Sequence, residues 1–331
     1  MDTFTIPKPI NRHFHARQDK ALQFLIPLVS SIYRAVVLMG NTTPPIVTGQ
    51  DAEKYRAEVM RLAVSPDFVP LLTIMLVNRT TPQIVREAHM AGVWGLKLIP
   101  GGTSTNSASG SNNPDAGVSL YDLKRHYPVL ATCQEIGMPF SVHWELIAEP
   151  NGKPILEVER EERAIPFLLE VVKTFPELQI IVEHVTTKKM VELVNALPDN
   201  VTATITAHHP FLQYEEVADK DGVIINPGLY CKPIAKPKSD MLSVREMMFD
   251  VNQKFGFGDD CAWHPAERKK LAAENDGKEP AAGIFNPFSL QILAHEFDAA
   301  GVLEGLEAFV LTNVSTYLPI LNFDERLTWF N

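Results

Sequence analysis

Cysteine, long apolar runs and an export signal are scarce or absent in this chain of 331 residues. The three cysteines, Cys133, Cys231 and Cys261, are far apart and include no C-x-x-C pair, which argues against a disulfide framework and fits a reducing compartment. No apolar run reaches the ~18 residues that a membrane-spanning helix requires. Residues 1–11 also lack the apolar core of a signal peptide. We therefore predict a cytoplasmic protein with no membrane partner.

Positive charges are outnumbered by negative ones, since the formal net charge is -10. The nearest candidate for a basic stripe is residues 232–238, where lysines alternate with prolines and a solvated loop is expected. The sequence therefore predicts no nucleic-acid partner. A G-x-G-x-x-G motif after a strand is also missing, which disfavours the main alternative fold, a doubly wound protein of two domains.

Short apolar runs alternate with helical patterns along most of the chain. The runs are too continuous for half-exposed strands and are typical of a parallel sheet buried on both faces. The predicted strands are a first one ending at His13 and His15, followed by Ala35–Met39, Leu71–Val77, Val93–Ile99, Phe140–His143, Gln179–His184, Val201–Thr206 and Lys254–Asp260.

Helical patterns occupy the stretches between these strands. They cover Ala52–Val64, Thr81–Met90, Tyr121–Ile136, Val158–Val172, Thr186–Leu197 and Ser239–Val251. Pro128 and Pro166 mark points where two of them could be kinked or split. The alternation predicts an α/β fold, a single (β/α)8 barrel domain over residues 1–331, with a helical C-terminal segment from about residue 287.

The first predicted strand carries an H-x-H pair. Residues i and i+2 of a strand point to the same side, so His13 and His15 direct two imidazoles at one point. Imidazole is a common ligand of transition metals. Arg17 follows just past the strand end, where a guanidinium could hold an anionic substrate.

Further candidate ligands lie on other predicted strands. In (β/α)8 barrels the chemistry takes place at the C-terminal strand ends, which converge on one mouth. His143, His184 and Asp260 end the fifth, sixth and eighth predicted strands, and Lys97 lies in the fourth. With His13 and His15, these residues predict a metal site.

Lys97 allows two interpretations. It could be a buried lysine paired with a carboxylate, or burial could yield a neutral amine that takes up CO2 to form a carbamate, an anionic ligand able to bridge two metals. His208 and His209, after the seventh strand, are equally open, and they could line the pocket or only support it.

Nine stretches resemble the stand-alone dihydroorotases of the amidohydrolase superfamily, and they follow the family order from residue 11 to about residue 287. They are His13–Arg17, Gly40–Pro45, Lys97–Pro100 with Thr105–Ser107, Val142–His143, Glu183–Thr187, Ala203–His209, Tyr230–Pro233, Gly258–Asp260 and Ala282–Phe285.

This resemblance implies a binuclear zinc site and a reaction. His13, His15 and Asp260 would bind one zinc ion, His143 and His184 the other, and carbamylated Lys97 would bridge them. Arg17, Asn41 and His264 would hold the substrate carboxylate, the main chain at Lys232 and Ala282 would contact the ring, and a flexible loop at Ser104 and Thr105 would close over it. The implied reaction interconverts N-carbamoyl-L-aspartate and L-dihydroorotate in pyrimidine biosynthesis. Asp260 would be the catalytic acid and base of this reaction. The resemblance also implies a homodimer.

Several residues depart from the family pattern. Asp259, Cys261 and Trp263 surround Asp260 where the family usually has Thr-Asp-Ser-Ala-Pro-His, Trp144 replaces a glycine after His143, and Pro210 replaces a leucine. The tryptophans and the extra carboxylate are expected near the mouth, where they could reshape the pocket. Two alternatives therefore stay open, a hydrolase of another cyclic amide or imide and a non-catalytic dihydroorotase-like subunit.

Overall fold

The computed structural model describes residues 3–104, 113–250, 252–314 and 325–330. Its strands are β1 (Thr3–Pro7), β2 (Ile10–His15), β3 (Ala35–Leu38), β4 (Val69–Met75), β5 (Gly95–Leu98), β6 (Phe140–Val142), β7 (Ile180–Val182), β8 (Val201–Ile205), β9 (Phe255–Phe257), β10 (Cys261–Ala262) and β11 (Arg326–Phe330). The main helices are α1 (Asp19–Ile32), α2 (Gly49–Leu62), α3 (Pro82–Met90), α4 (Tyr127–Ile136), α5 (Arg160–Thr174), α6 (Lys188–Ala196), α7 (Lys238–Phe249) and α8 (Ser289–Ala299).

Strands β2 to β10 form a closed parallel barrel. Strands β2 to β9 lie side by side in chain order, and each neighbouring pair is parallel. Strand β10 returns to β2, with Cys261 opposite Phe14 and Ala262 opposite His15. Since only Gly258–Asp260 separates β9 from β10, the two are pieces of one interrupted eighth strand. The predicted (β/α)8 fold is confirmed.

The surrounding helices pack one apolar face on the barrel, and α2, α3 and α6 begin at side-chain caps. Thr48 and Asp51 form a capping box at the start of α2, whose Tyr55 and Val59 are buried. Thr81 caps α3, as its Thr-Pro start predicts. Within the described ranges, none of these helices is long and apolar enough to cross a bilayer.

The end of the chain corrects the expectation of a helical segment from about residue 287. Helix α8 and the adjoining helical turns Gly305–Glu307 and Ala308–Thr312 agree with it. However, β11 is a strand that pairs antiparallel with β1. Leu327 and Trp329 pack against the core while Arg326 and Thr328 are exposed, so the period is two, as in a strand.

Two helices also differ from the sequence-based expectation. The predicted helix Tyr121–Ile136 is divided, because a 3-10 helix covers Leu120–His126 and α4 begins at the next residue, with Pro128 in its first turn. Helix α1 was not predicted, although its buried face is regular, because Pro27 interrupts the helical pattern. In both cases a proline obscures the helical pattern in the sequence, so the helix or its boundary is not predicted correctly.

Candidate metal centre and substrate pocket

The C-terminal end of β2 meets the interrupted eighth strand at three buried ligand-type side chains. His13 Nε2 lies 3.3 Å from His15 Nε2. Asp260 Oδ1 lies 3.2 Å from His13 Nε2 and 3.0 Å from His15 Nε2. The Asp260 main-chain N–H donates to the His13 carbonyl at 2.8 Å, which fixes the two strand ends against each other. The three atoms converge as ligands of one cation would.

The second half of the predicted site lies directly beside the first. His143 Nδ1 and His184 Nε2 are 3.2 Å apart, at the ends of β6 and β7. The His13 and His184 rings are 5.2 Å apart between centroids. Lys97, in β5, is completely buried. The structure therefore brings all six predicted metal-site residues together.

Three site residues have left-handed backbone conformations that side chains rarely adopt. Arg17, His184 and Asp260 have φ values of 59°, 41° and 49°, and each follows a strand closely. Such a conformation costs on the order of 1–3 kcal/mol per residue and persists only where the surrounding structure enforces it. These turns direct the side chains into the mouth, a feature that the sequence pattern could not reveal.

Burial sets the protonation of the cluster. It lowers the pKa of His15 to about 4 and that of His184 well below its ordinary value, so both imidazoles are neutral at pH 7. Burial likewise lowers the pKa of Lys97. Among the described residues, Lys97 Nζ has no hydrogen-bond partner, and the nearest carboxylate oxygen, Glu183 Oε1, is 3.9 Å away. Imidazole nitrogens, a carboxylate and an unbonded amine form a donor set that suits divalent cations.

Glu183, at the end of β7, is the buried carboxylate beneath this cluster. It accepts hydrogen bonds from His13 Nδ1 at 2.8 Å, Thr204 Oγ1 at 2.6 Å and the Ser141 hydroxyl. Burial opposes its ionisation, but His13 and Lys97 outweigh burial and lower the pKa of Glu183 to about 2. An ionised carboxylate only accepts, so His13 carries a proton on Nδ1 and directs Nε2 into the site. Although burial opposes its charge, Glu183 and Asp260 raise the pKa of His13.

Glu145 is the buried carboxylate that orients the His143 ring. Its Oε2 accepts from His143 Nε2 at 2.7 Å, which leaves Nδ1 facing His184. The sequence pattern alone predicts no role for Glu145 or Glu183. The sequence offers two signals. Glu145 follows the candidate ligand His143 by two residues, and Glu183 ends an apolar strand directly before the candidate ligand His184.

The predicted substrate contacts line one small pocket next to His15 and Asp260. Its walls include Arg17, Asn41, Ser104, Lys232 and Ala282. His264 lies behind Arg17, with its Nε2 3.0 Å from Arg17 Nη2 and 2.9 Å from the Ala282 carbonyl oxygen. The Lys232 ammonium lies 3.8 Å from Glu157, in an ion pair. Thr105 lies outside the described residues.

Arg17 brings a guanidinium to this pocket, where the charge of Asp260 acts on it without forming an ion pair. Its Nε donates to the Trp263 carbonyl at 3.2 Å, while its buried Nη1 has no hydrogen-bond partner among the described residues. In that part of the chain, no carboxylate forms an ion pair with it. The Asn41 side-chain oxygen is also buried without a partner there. A guanidinium with an unused donor edge is a receptor for a planar anion.

Four residues that depart from the family pattern, Trp144, Asp259, Cys261 and Trp263, are not part of the described pocket lining. Asp259 accepts a hydrogen bond from Ser289 at 2.5 Å and, like Cys261, faces the layer between β2 and α1. Trp144 is packed in the main core, and Trp263 is 36% exposed at the rim. None of these four side chains is among the described lining of the pocket.

His208, His209 and Cys231 form a second group of ligand-type atoms within 4.8 Å of one another. The His209 ring is already engaged on both sides, with Nδ1 2.9 Å from Thr206 Oγ1 and Nε2 3.0 Å from the Pro233 carbonyl oxygen. The Cys231 thiol donates to the same carbonyl at 3.3 Å. These bonds join the loop after β8 to residues 231–233, of which Lys232 lines the pocket.

Comparison with known proteins relates both the sequence and the fold to one enzyme family. No family profile matches the chain. A dihydroorotase of Hahella chejuensis is 34% identical over 334 residues, covering 99% of this chain and 90% of that protein. A Campylobacter jejuni dihydroorotase structure matches with a TM-score of 0.83 and 30% identity, over 99% of this chain and 87% of that one. A dihydroorotase from Saccharomyces cerevisiae, solved with 5-fluoroorotic acid, matches with a TM-score of 0.84 and 27% identity, over 96% and 85% of the two chains. On these matches over nearly its whole length, the chain belongs to the dihydroorotase family and is a cyclic amidohydrolase.

Proposed function

We propose that this protein interconverts N-carbamoyl-L-aspartate and L-dihydroorotate, the dihydroorotase step of pyrimidine biosynthesis. The observation that carries the proposal is the Arg17 guanidinium, which lies in the pocket beside His15 and Asp260 with no carboxylate ion pair in the described part of the chain. A substrate that combines a cyclic amide with a carboxylate would supply the missing anion. Since Trp144 and Asp259 are absent from the pocket lining, they give no reason to prefer a neutral ring.

The proposed cofactor is a pair of zinc ions bridged by carbamylated Lys97. His13, His15 and Asp260 would hold one ion and His143 and His184 the other. The unbonded, buried Lys97 amine and the neutral imidazoles fit this assignment. Two bound cations would lower the pKa of a water molecule and polarise the ring carbonyl.

The residues of the chain would bind the substrate and move the proton. Arg17, Asn41 and His264 would hold the carboxylate, and the main chain at Lys232 and Ala282 would orient the ring. Asp260 would take a proton from the attacking water and pass it to the ring nitrogen as the C–N bond breaks. Although burial opposes ionisation, His13 and His15 keep the pKa of Asp260 well below its usual range, so it starts as the base.

The remaining parts of the proposal concern the setting of the site. We propose one catalytic barrel domain, in a cytoplasmic homodimer, with a loop at Ser104 and Thr105 that closes over the substrate. Ser104 forms part of the pocket wall, in support of that role.

A substrate panel with an Arg17 variant tests the proposed function. The wild-type protein should prefer dihydroorotate to dihydrouracil and succinimide, which lack the carboxylate. Losing a buried charged contact costs about 2–5 kcal/mol, so Arg17→Met should lower kcat/KM for dihydroorotate by about one and a half to nearly four orders of magnitude. Turnover of the neutral rings should change far less. Steady-state kinetics on the three substrates measure this.

Arg163→Met, on the outer helix α5, is the matched control and should leave all three rates unchanged. A wild-type preference for neutral rings would instead support a hydrolase of another cyclic amide or imide. No turnover of any ring by the zinc-loaded protein would support the non-catalytic subunit. Equal losses on charged and neutral rings would mean that Arg17 is structural.

A further inference from the structure

Lys269, on the loop after β10, joins two main-chain segments through three carbonyl groups. Its Nζ donates to the carbonyl oxygens of Tyr230 at 3.0 Å, Ala281 at 3.0 Å and Gly283 at 2.8 Å. An ammonium group has three N–H donors, so all of them are used. Within the described residues no carboxylate pairs with this ammonium. Its charge is therefore balanced by three aligned carbonyl dipoles.

Both joined segments border the pocket. Lys232 and Ala282 line it, and the carbonyls bound by Lys269 lie one or two residues from them. A direct bond from Gly283 N–H to the Tyr230 carbonyl, at 3.0 Å, adds to the link. Lys269 itself is not among the pocket-lining residues.

The link extends to the charged end of the pocket. Ala282, between two of the bonded residues, offers its carbonyl to His264 Nε2 at 2.9 Å, and that nitrogen is 3.0 Å from Arg17 Nη2. The main chain at Gly283 packs closely against Ala262, because a Cβ added to this glycine would lie 2.8 Å from Ala262 Cβ. A shift of residues 281–283 would therefore move both the ring-contacting backbone and the support of Arg17.

We propose that Lys269 is a positioning residue that sets substrate affinity by holding residues 230–232 and 281–283 at a fixed separation. The proposal rests on the function proposed above for this pocket. The metal-site residues belong to other segments, so loss of the ammonium should loosen substrate binding and leave the chemical step largely intact.

The test compares the zinc-loaded Lys269→Met variant with Lys270→Met, the same substitution at an exposed neighbour. Lys269→Met should raise KM for dihydroorotate by about 10- to 100-fold, with kcat within about threefold of wild type and unchanged zinc content. Lys269→Gln, which keeps one donor group, should give an intermediate KM and guards against a folding failure. Lys270→Met should behave as wild type.

Hydrogen exchange provides a readout that does not depend on the substrate. Amides of residues 229–232 and 281–284 should exchange faster in Lys269→Met and at the wild-type rate in Lys270→Met. Unchanged protection of both segments, or a fall in kcat at constant KM, would overturn the positioning role. A wild-type protein that does not turn over dihydroorotate would refute the proposed function, while the exchange rates would still decide whether Lys269 holds the segments.

Discussion

Asp260→Asn is expected to lower kcat for dihydroorotate by about 10³-fold or more while the protein stays folded. An amide is close to a carboxylate in shape, so the bond from the main chain at this position to His13 and the closure of the barrel should persist. The amide oxygen cannot take up the proton of the attacking water, and general acid–base catalysis typically contributes 10²–10⁴-fold. Steady-state kinetics across pH, with circular dichroism and zinc analysis, measure the effect.

Asp259→Asn provides a matched control one residue away. The Asp259 carboxyl faces Ser289 and the layer below α1, outside the pocket, so its replacement should change kcat only severalfold. Equal losses in the two variants would point to damage of the strand interruption itself. Near-wild-type rates of Asp260→Asn at every pH would exclude Asp260 as the acid and base.

The barrel could be predicted from sequence because its strands are buried on both faces and therefore read as short, continuous apolar runs. The predicted strand ends are less accurate. The predicted run Lys254–Asp260 is interrupted at Gly258–Asp260, where the main-chain N–H groups of Asp259 and Asp260 donate to Asn11 Oδ1 and to the His13 carbonyl. The pairing of β1 with β11 was missed, since a contact between the two ends of a chain leaves no local signal.

The ligand-type residues could be predicted because a barrel brings all strand ends to one mouth. Their supporting groups could not. Whether Glu183 points at His13 or away from it depends on one turn of backbone, and the left-handed conformation at His184 is fixed by tertiary packing. The same limit applies to Asp259 and Trp144. Both residues are adjacent to predicted ligands in the sequence. They nevertheless lie outside the pocket, because side chains alternate across a strand and loops turn sharply.

Lys97→Arg is expected to remove most of the bound zinc and with it the activity, although it preserves the positive charge. A carbamate forms only on a neutral amine, which the burial of Lys97 favours by lowering its pKa. A guanidinium stays protonated and cannot form that ligand. It would also place a fixed charge beside the buried imidazoles of His143 and His184, whose pKa values burial lowers. Zinc content by atomic absorption, with mass spectrometry of the intact wild-type chain for the added CO2, measures this.

Lys236→Arg is the control for enlarging a buried lysine without touching the proposed bridge. Lys236 is 2% exposed and its ammonium donates to the Glu157 carbonyl at 3.0 Å, so this change tests packing alone. It should lower thermal stability but leave the zinc-to-protein ratio intact, whereas Lys97→Arg should lose zinc even where it remains folded. Lys97→Ala should lose zinc as well, because it removes the bridge and adds no charge. If Lys97→Arg retained both zinc and turnover, the carbamate bridge would be wrong, and the lysine would be a buried partner of Glu183 instead.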